Sequence, residues 1–380
     1  MKISYNWLRD YLDFDAQPDE LSSVLTSLGL EVEDVEEWVS VKGGMKGVVI
    51  GRVLTCEKHP DADRLSVTTV DTGGPDPLHI VCGAPNVAAG QVVAVALPGT
   101  MVFHGDEQFE IKKSKIRGQL SEGMICAEDE LGLGADHEGI MVLDSNARIG
   151  MPAAEYFGIT TDTVFEIGLT PNRIDCSSHF GVARDLAAFY NLRRPVRAKL
   201  PEISGFRKER ESGAIEVTVE APEACIRYSG LTVRGIRVEP SPAWLQTRLR
   251  AIGLHPINNI VDITNFVLHE TGQPLHAFDA AAITGDIVRV RHLPDKTKFV
   301  TLDGVERTLA SSDLMICNRD EGMCIAGVFG GLKSGVTEAT TDLFLESATF
   351  NPVSVRRTSR RHDLHTDASY RFERGTDPEM

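Results

Sequence analysis

The spacing of apolar positions changes along the chain, and each change predicts a different element. Residues 18–29 read as a helix: Pro18 sits just inside the start, Asp19 and Glu20 occupy the first turn, and Gly29 stands past the end, as helix-end chemistry favours. From residue 48 to about 142 the pattern becomes short β-branched runs (48–54, 65–70, 79–82, 91–97) separated by Gly, Pro, Asn and Asp. Such runs predict a small closed or nearly closed barrel of about five strands, with the oligonucleotide-binding (OB) fold as the expected type. After residue 150 helical spacing returns, and Val182, Ala183, Leu186, Ala187 and Tyr190 mark one buried face. Residues 195–212, rich in Pro, Lys, Arg and Glu, read as a domain junction. From residue 214 strand-like runs (215–219, 287–290, 314–316, 343–345) alternate with a helical one (242–252), which predicts a mixed α+β domain.

Length and charge narrow the picture. A chain of 380 residues predicts two to four domains. The 39 Lys and Arg against 55 Asp and Glu leave a net charge of −16, a poor starting point for a general nucleic-acid binder. The barrel segment is acidic too: residues 45–145 hold 8 Lys or Arg against 15 Asp or Glu, a net of −7. Half of its positive charge lies in Lys112, Lys113, Lys115 and Arg117, and with this acidic balance broad RNA binding there is not expected. Positive charge collects instead at Arg356, Arg357, Arg360, Arg361, Arg371 and Arg374. The longest apolar stretches fall short of the roughly 18 residues of a membrane span, and Asp10, Asp13 and Asp15 deny the N-terminus a signal-like apolar core. A cytoplasmic protein without a membrane partner is expected. Seven scattered cysteines, with no Cys-x-x-Cys pair, fit reduced buried thiols. Cys56, His59, Asp61 and Asp63 have metal-ligand chemistry but no second half. They read as a structural turn, and no metal site is expected.

Eight segments in order carry a family resemblance. They are Ile3-Ser4-Tyr5-Asn6-Trp7-Leu8, Glu57-Lys58-His59-Pro60-Asp61-Ala62-Asp63-Arg64-Leu65, Val81-Cys82-Gly83-Ala84-Pro85-Asn86, and Arg117-Gly118 with Gly123-Met124. Further along come Thr170-Pro171-Asn172-Arg173, Pro256-Ile257-Asn258-Asn259-Ile260-Val261-Asp262, Gly272-Gln273-Pro274-Leu275-His276-Ala277-Phe278-Asp279, and His365-Thr366-Asp367-Ala368-Ser369 leading to Arg371-Phe372-Glu373-Arg374-Gly375. Together they resemble the N-terminal half of the bacterial phenylalanyl-tRNA synthetase β subunit. The resemblance implies an α+β multidomain chain. A split N-terminal domain (1–39 with 151–195) would surround an OB-fold barrel (40–150), and a two-part editing domain of B3/B4 type (213–380) would follow. The ending Asp377-Pro378-Glu379-Met380, without a stop signal, is what a piece of a longer polypeptide would show.

The resemblance also implies chemistry. An apolar pocket for Phe rejects a hydroxyl-bearing analogue by only about 10²-fold, so a second site must remove tyrosine after charging. That site should offer the tyrosyl hydroxyl a buried acceptor, which Phe would leave unpaired at a cost of roughly 1–3 kcal/mol. Glu346, a lone carboxylate in the apolar run Phe344-Leu345-Glu346-Ser347-Ala348, matches the family's tyrosine-recognising glutamate; Glu338 is a rival in an exposed turn. His276, expected just after a turn at 272–275 that holds the imidazole at the edge of the element begun at 260–267, matches the group that orients or deprotonates water, and Thr366 a second catalytic group. Thr264, Asn265, Gly330, Gly331 and Ala368 match the pocket wall, with the two glycines expected to offer N–H groups. Lys112, Lys113, Lys115, Arg117, Arg360 and Arg361 are candidate tRNA contacts. Direct attack by water on the ester is expected, with no cofactor in this half. ATP and Mg2+ belong to the complete enzyme, in which an α subunit would join as an (αβ)2 heterotetramer and carry aminoacylation. The competing readings are a non-enzymatic tRNA-binding or subunit scaffold and an independent metal hydrolase. At Asp363 the family often has Gly, which draws attention to the conformation of that loop.

Overall fold

The computed structural model describes residues 1–104, 107–210 and 213–380. It divides into two compact units, Met1–Glu36 with Thr163–Met380, and Glu37–Asp162.

Strand β1 (Lys2–Ser4) opens the first unit, followed by helix α1 (Pro18–Ser27), whose Leu21, Val24 and Leu25 are buried. Gly29 ends the turn at φ 81°, a left-handed conformation that suits a residue lacking Cβ. Strand β2 (Glu31–Val39) then leads into the second unit.

That unit is built on a sheet of order β7-β6-β3-β4-β5, from β3 (Val48–Lys58), β4 (Ser66–Asp71), β5 (Leu78–Cys82), β6 (Val92–Ala96) and β7 (Met124–Ile125). Side chains alternate between the two faces with the period of two that a strand imposes. Ile50, Val92, Ala94 and Ala96 pack on one side, and Val53, Val70, Val93 and Val95 on the other. The Glu122 N–H, just before β7, donates to the His79 carbonyl of β5 at 2.7 Å. The sheet thereby comes close to closing on itself.

Strand β8 (Thr161–Gly168) returns the chain and lies antiparallel to β1, between β1 and β2. Helix α2 (His179–Tyr190) begins earlier than the apolar spacing indicates, because the Ser178 side chain accepts the Gly181 N–H and caps it there. Its buried face joins Trp7, Phe14, Leu21 and Phe165 in one core. Residues 195–210 of the expected junction carry no helix or strand; 211 and 212 lie outside the described residues.

The remainder comprises β9 (Glu216–Val219), β10 (Cys225–Arg234), α3 (Ala243–Ala251), α4 (Asn259–Thr271), β11 (Leu275–Asp279), β12 (Ile287–His292), β13 (Leu314–Cys317), β14 (Gly322–Ile325), β15 (Phe329–Gly330), β16 (Asp342–Phe350), α5 (Pro352–His362) and α6 (Asp367–Phe372). Two larger sheets result, ordered β9-β12-β13-β14-β15 and β10-β16-β11, beside a two-stranded ribbon of Lys298–Val300 and Glu306–Thr308. Phe278, Phe344 and Phe350 meet Val288, Ile316 and Ile325 in a core common to both. The alternation of strands and helices expected beyond residue 214 is therefore present.

Candidate active site

Strand β16 positions the central group. It pairs antiparallel with β10 and β11, and directly opposed residues share a face of the sheet. Glu346 accordingly stands between Gly230 of β10 and His276 of β11. Gly230 has a packing reason, since a Cβ there would lie 2.2 Å from the Phe344 ring. Over the Glu346–His276 pair opens a cavity of about 300 Å3 whose lining includes Asn265, Gly330, Thr366 and Ala368. That is the lower end of the range for small-ligand sites, about 300–1,000 Å3.

Three local devices bring these residues together. The Asn258 side chain accepts the N–H groups of Ile260 and Val261 and Gly272 closes the far end at φ 85°, so α4 carries Asn265 to the wall. The Gln273 amide donates to the Ala348 carbonyl at 2.8 Å, which ties the turn after α4 to β16. Thr366 caps α6 and stands beside Ala368. His276 follows the turn that closes α4 and is the second residue of β11, where the strand ladder fixes its position opposite Glu346.

The site's electrostatics follow from burial. Glu346 is 4 % exposed, and burial pushes its carboxyl up to about 8, against a partial lowering by the Tyr228 hydroxyl. That hydroxyl donates to Oε2 at 3.0 Å. Oε1 has no hydrogen-bond partner among the described residues. Burial also pushes the His276 imidazole down to about 4, so the ring is neutral near pH 7. A Cβ at Gly330 would lie 2.9 Å from His276 Cε1 and 2.8 Å from Leu302 Cδ1. Glycine at 330 is what lets the imidazole sit there.

Two expected wall residues stand elsewhere. The Thr264 hydroxyl donates to the Val261 carbonyl at 2.8 Å, and Gly331 spends its N–H on the Met323 carbonyl at 2.8 Å; neither lines the cavity. Thr366 lines it, but its hydroxyl accepts the Ser369 N–H at 3.0 Å and donates to the Val328 carbonyl at 3.1 Å. Its proton is committed, and one lone pair is left for a ligand or water. Glu338 is exposed in a turn. Tyr228, which the sequence did not single out, touches Glu346 across 118 positions, and no local pattern marks it.

The arginine cluster is half spent. Arg371 is 1 % exposed and donates through Nε and Nη2 to the Ser177 carbonyl. Arg374 pairs with Glu373 at 2.7 Å, and Arg361 pairs with the buried Asp313. Arg356, Arg357 and Arg360 are exposed on α5 with no ion pair among the described residues. Asp363 takes the left-handed conformation (φ 52°, ψ 48°) at the end of α5. The backbone there has the shape a glycine favours, adopted by an aspartate.

In the second unit Lys112 pairs with Glu110 at 3.2 Å and Lys113 with Glu122 at 3.0 Å. Lys115 and Arg117 are exposed, and Arg117 reaches the Asp61 carbonyl at 3.5 Å. His59 accepts the Asp61 N–H at Nδ1 and meets the Ile116 carbonyl at Nε2, so both ring nitrogens serve the turn. In the first unit Asp175, Cys176 and Asp185 lie close enough together to share an ion. The Arg173 guanidinium already sits among them, 2.7 Å from Cys176 Sγ and paired with both carboxylates. All seven cysteines are free and six are buried. No helix among the described residues is long and apolar enough to cross a membrane.

Comparisons with known proteins place the chain beside named relatives. Two family models match, one described as "Putative tRNA binding domain" over residues 48–152 and one as "B3/4 domain" over residues 224–380. The phenylalanine–tRNA ligase β subunit of Bacteroides thetaiotaomicron is 59 % identical over 380 residues, 100 % of this chain and 46 % of that protein. That of Porphyromonas gingivalis is 59 % identical over 383 residues, with the same coverage. The Salinibacter ruber subunit is 48 % identical over 392 residues, 99 % of this chain and 46 % of that protein. A solved N-terminal fragment of the phenylalanyl-tRNA synthetase β subunit from Pyrococcus horikoshii is 15 % identical over 53 % of this chain and 62 % of that one; its TM-score of 0.30 carries no argument. The chain spans about half the length of the curated relatives it matches. Over its whole length the chain is similar to phenylalanine–tRNA ligase β subunits, of which it matches the N-terminal part.

Proposed function

We propose that the cavity over Glu346 and His276 is an editing site that hydrolyses tyrosine esterified by mistake to phenylalanine tRNA. One observation carries this reading: a buried carboxyl with an unpartnered oxygen and a neutral imidazole stand side by side in a cavity of amino-acid size. A tyrosyl ring entering over Ala368 would bring its hydroxyl to Glu346 Oε1. A phenylalanyl ring would leave that oxygen without a partner, at a cost of roughly 1–3 kcal/mol, or about ten- to hundredfold in rate. Because burial keeps Glu346 largely uncharged, the expected selectivity lies nearer 10² than the 10⁴ or more that a fully dedicated polar site reaches.

His276 has a lone pair free at neutral pH and makes no hydrogen bond among the described residues. It would accept a hydrogen bond from the attacking water. An imidazole held at about 4 is a weak base, so its main contribution is orientation. Water oxygen bonds to the ester carbon, the ester C–O bond breaks, and the ribose oxygen of the tRNA end leaves with a proton. Free tyrosine and uncharged tRNA are the products.

In the same reading the exposed Arg356, Arg357 and Arg360 help hold the acceptor end through its phosphates. The acidic barrel, with Lys112 and Lys113 already paired, contributes little affinity. The complete enzyme would join an α subunit, as an (αβ)2 assembly, and would use ATP and Mg2+ for aminoacylation there; hydrolysis in this half needs neither. Deacylation of tyrosyl- and phenylalanyl-tRNA by the purified protein is the test. Faster loss of the tyrosyl ester, slowed in His276→Ala, is expected; equal rates on the two esters would end the reading.

A further inference from the structure

The proposed recognition of a hydroxyl by Glu346 leaves open what holds the carboxyl in one orientation. A carboxyl can swing about its terminal torsion, which is broad and roughly two-fold, and a swing would exchange the two oxygens at the cavity. Cross-strand neighbours supply the constraint. Tyr228 stands two pairs from Glu346 along the β10–β16 ladder, opposite Ala348 and on the same face. The position directly opposite Glu346 is Gly230, so no side chain intervenes and the phenol reaches diagonally to Oε2 at 3.0 Å. Tyr228 does not itself line the cavity; it grips the carboxyl from the side away from the ligand. His276, on the other flank, makes no hydrogen bond to either oxygen.

We propose that Tyr228 is the positioning residue for hydroxyl recognition: by occupying Oε2 it presents Oε1 alone to the ligand and fixes its direction. This rests on the editing reading of the cavity. The glycine at 230 has a packing reason of its own, since a Cβ there would meet the Phe344 ring. Without the phenol hydroxyl the carboxyl loses its only hydrogen bond among the described residues, and burial would hold it protonated over a wider pH range.

The test compares tyrosyl- and phenylalanyl-tRNA deacylation by the full-length protein in wild type, Tyr228→Phe, Glu346→Ala and the double variant. Tyr228→Phe keeps the ring that packs against the core. The expected result is a fall of about tenfold in the tyrosyl-to-phenylalanyl ratio, carried by the tyrosyl rate, and no further fall when the change is added to Glu346→Ala. An unchanged ratio in Tyr228→Phe, with the ratio still collapsing in Glu346→Ala, overturns the positioning role and leaves the editing reading intact. An unchanged ratio in Glu346→Ala overturns the editing reading itself. Equal losses on both esters, or a Tyr228→Phe effect that persists in the double variant, identify a purely structural tyrosine and also overturn the proposal.

Discussion

Two carboxylates lie buried in the same core and are treated in opposite ways. Asp313, 1 % exposed, receives the Ala310 N–H at 2.9 Å, the Thr358 hydroxyl at 2.9 Å and His362 Nε2 at 2.8 Å, together with Arg361. Burial alone would raise its pKa, yet these partners outweigh burial and hold the carboxyl below the usual range. Glu346 receives one hydroxyl, and burial prevails, raising it to about 8. The difference separates two jobs. A saturated carboxylate fastens helix α5 to the end of β13; an unsaturated one leaves an oxygen without a hydrogen-bond partner among the described residues.

The comparison is easiest to break through stability. Asp313→Ala strands a histidine and an arginine that were paired with it, and should cost about 3–5 kcal/mol, read as a lower urea midpoint. Glu346→Gln removes an acid that burial disfavours in its charged form, and near neutral pH it should leave the midpoint unchanged or higher. Equal losses would show that both carboxylates are structural.

Next in size is the seat of the imidazole. Gly330→Ala places a methyl group against His276 and Leu302, and overpacking of this kind costs about 1–3 kcal/mol. Tyrosyl-ester hydrolysis should fall about tenfold, with the ratio between the two esters largely retained, because the hydroxyl contact is not touched. A collapse of the ratio would mean that the pocket's wall, and not Glu346, sets selectivity.

A smaller effect is the opposite pH dependence of the two acids. Asp313 has a lowered folded pKa, so it adds stability above the ordinary carboxylate range and loses it as pH falls through the lowered value. Glu346 has a raised folded pKa. Between the ordinary carboxylate range and about 8 the folded state binds more protons than the unfolded one, so stability falls as pH rises through that window. Glu346→Gln should therefore gain on wild type from about pH 5 to 8 in chemical denaturation; parallel curves would refute the raised value. Smallest of all, Arg356→Glu or Arg360→Glu should raise KM for the charged tRNA a few-fold, and more so at low salt, with little change in kcat.

The same contrast explains what could be read from the sequence. Local signals were legible: Pro18 and Gly29 bracket α1, and the β-branched runs from residue 48 onward lie in β3 to β6. The carboxylate inside an apolar run identified Glu346 as unusual. Partnerships were not legible. Arg361 counted as available charge, although Asp313 lies 48 positions earlier in the chain; Arg371 counted likewise, although it donates to a carbonyl 194 positions away. The turn before His276 was legible in Gly272-Gln273-Pro274, but its position opposite Glu346 depends on pairing with β16, a register that no window around residue 276 contains. Tyr228 escaped for the same reason. Gly331 looked like a ligand-facing amide beside Gly330, and only the β-ladder reveals that its N–H is already used.

The most direct measurement is the ratio of tyrosyl- to phenylalanyl-tRNA hydrolysis in wild type and in Glu346→Ala. A wild-type preference for the tyrosyl ester of about 10² is expected, falling towards unity in the variant, with phenylalanyl-ester hydrolysis no slower than before. A ratio that survives loss of the carboxyl would contradict recognition by Glu346.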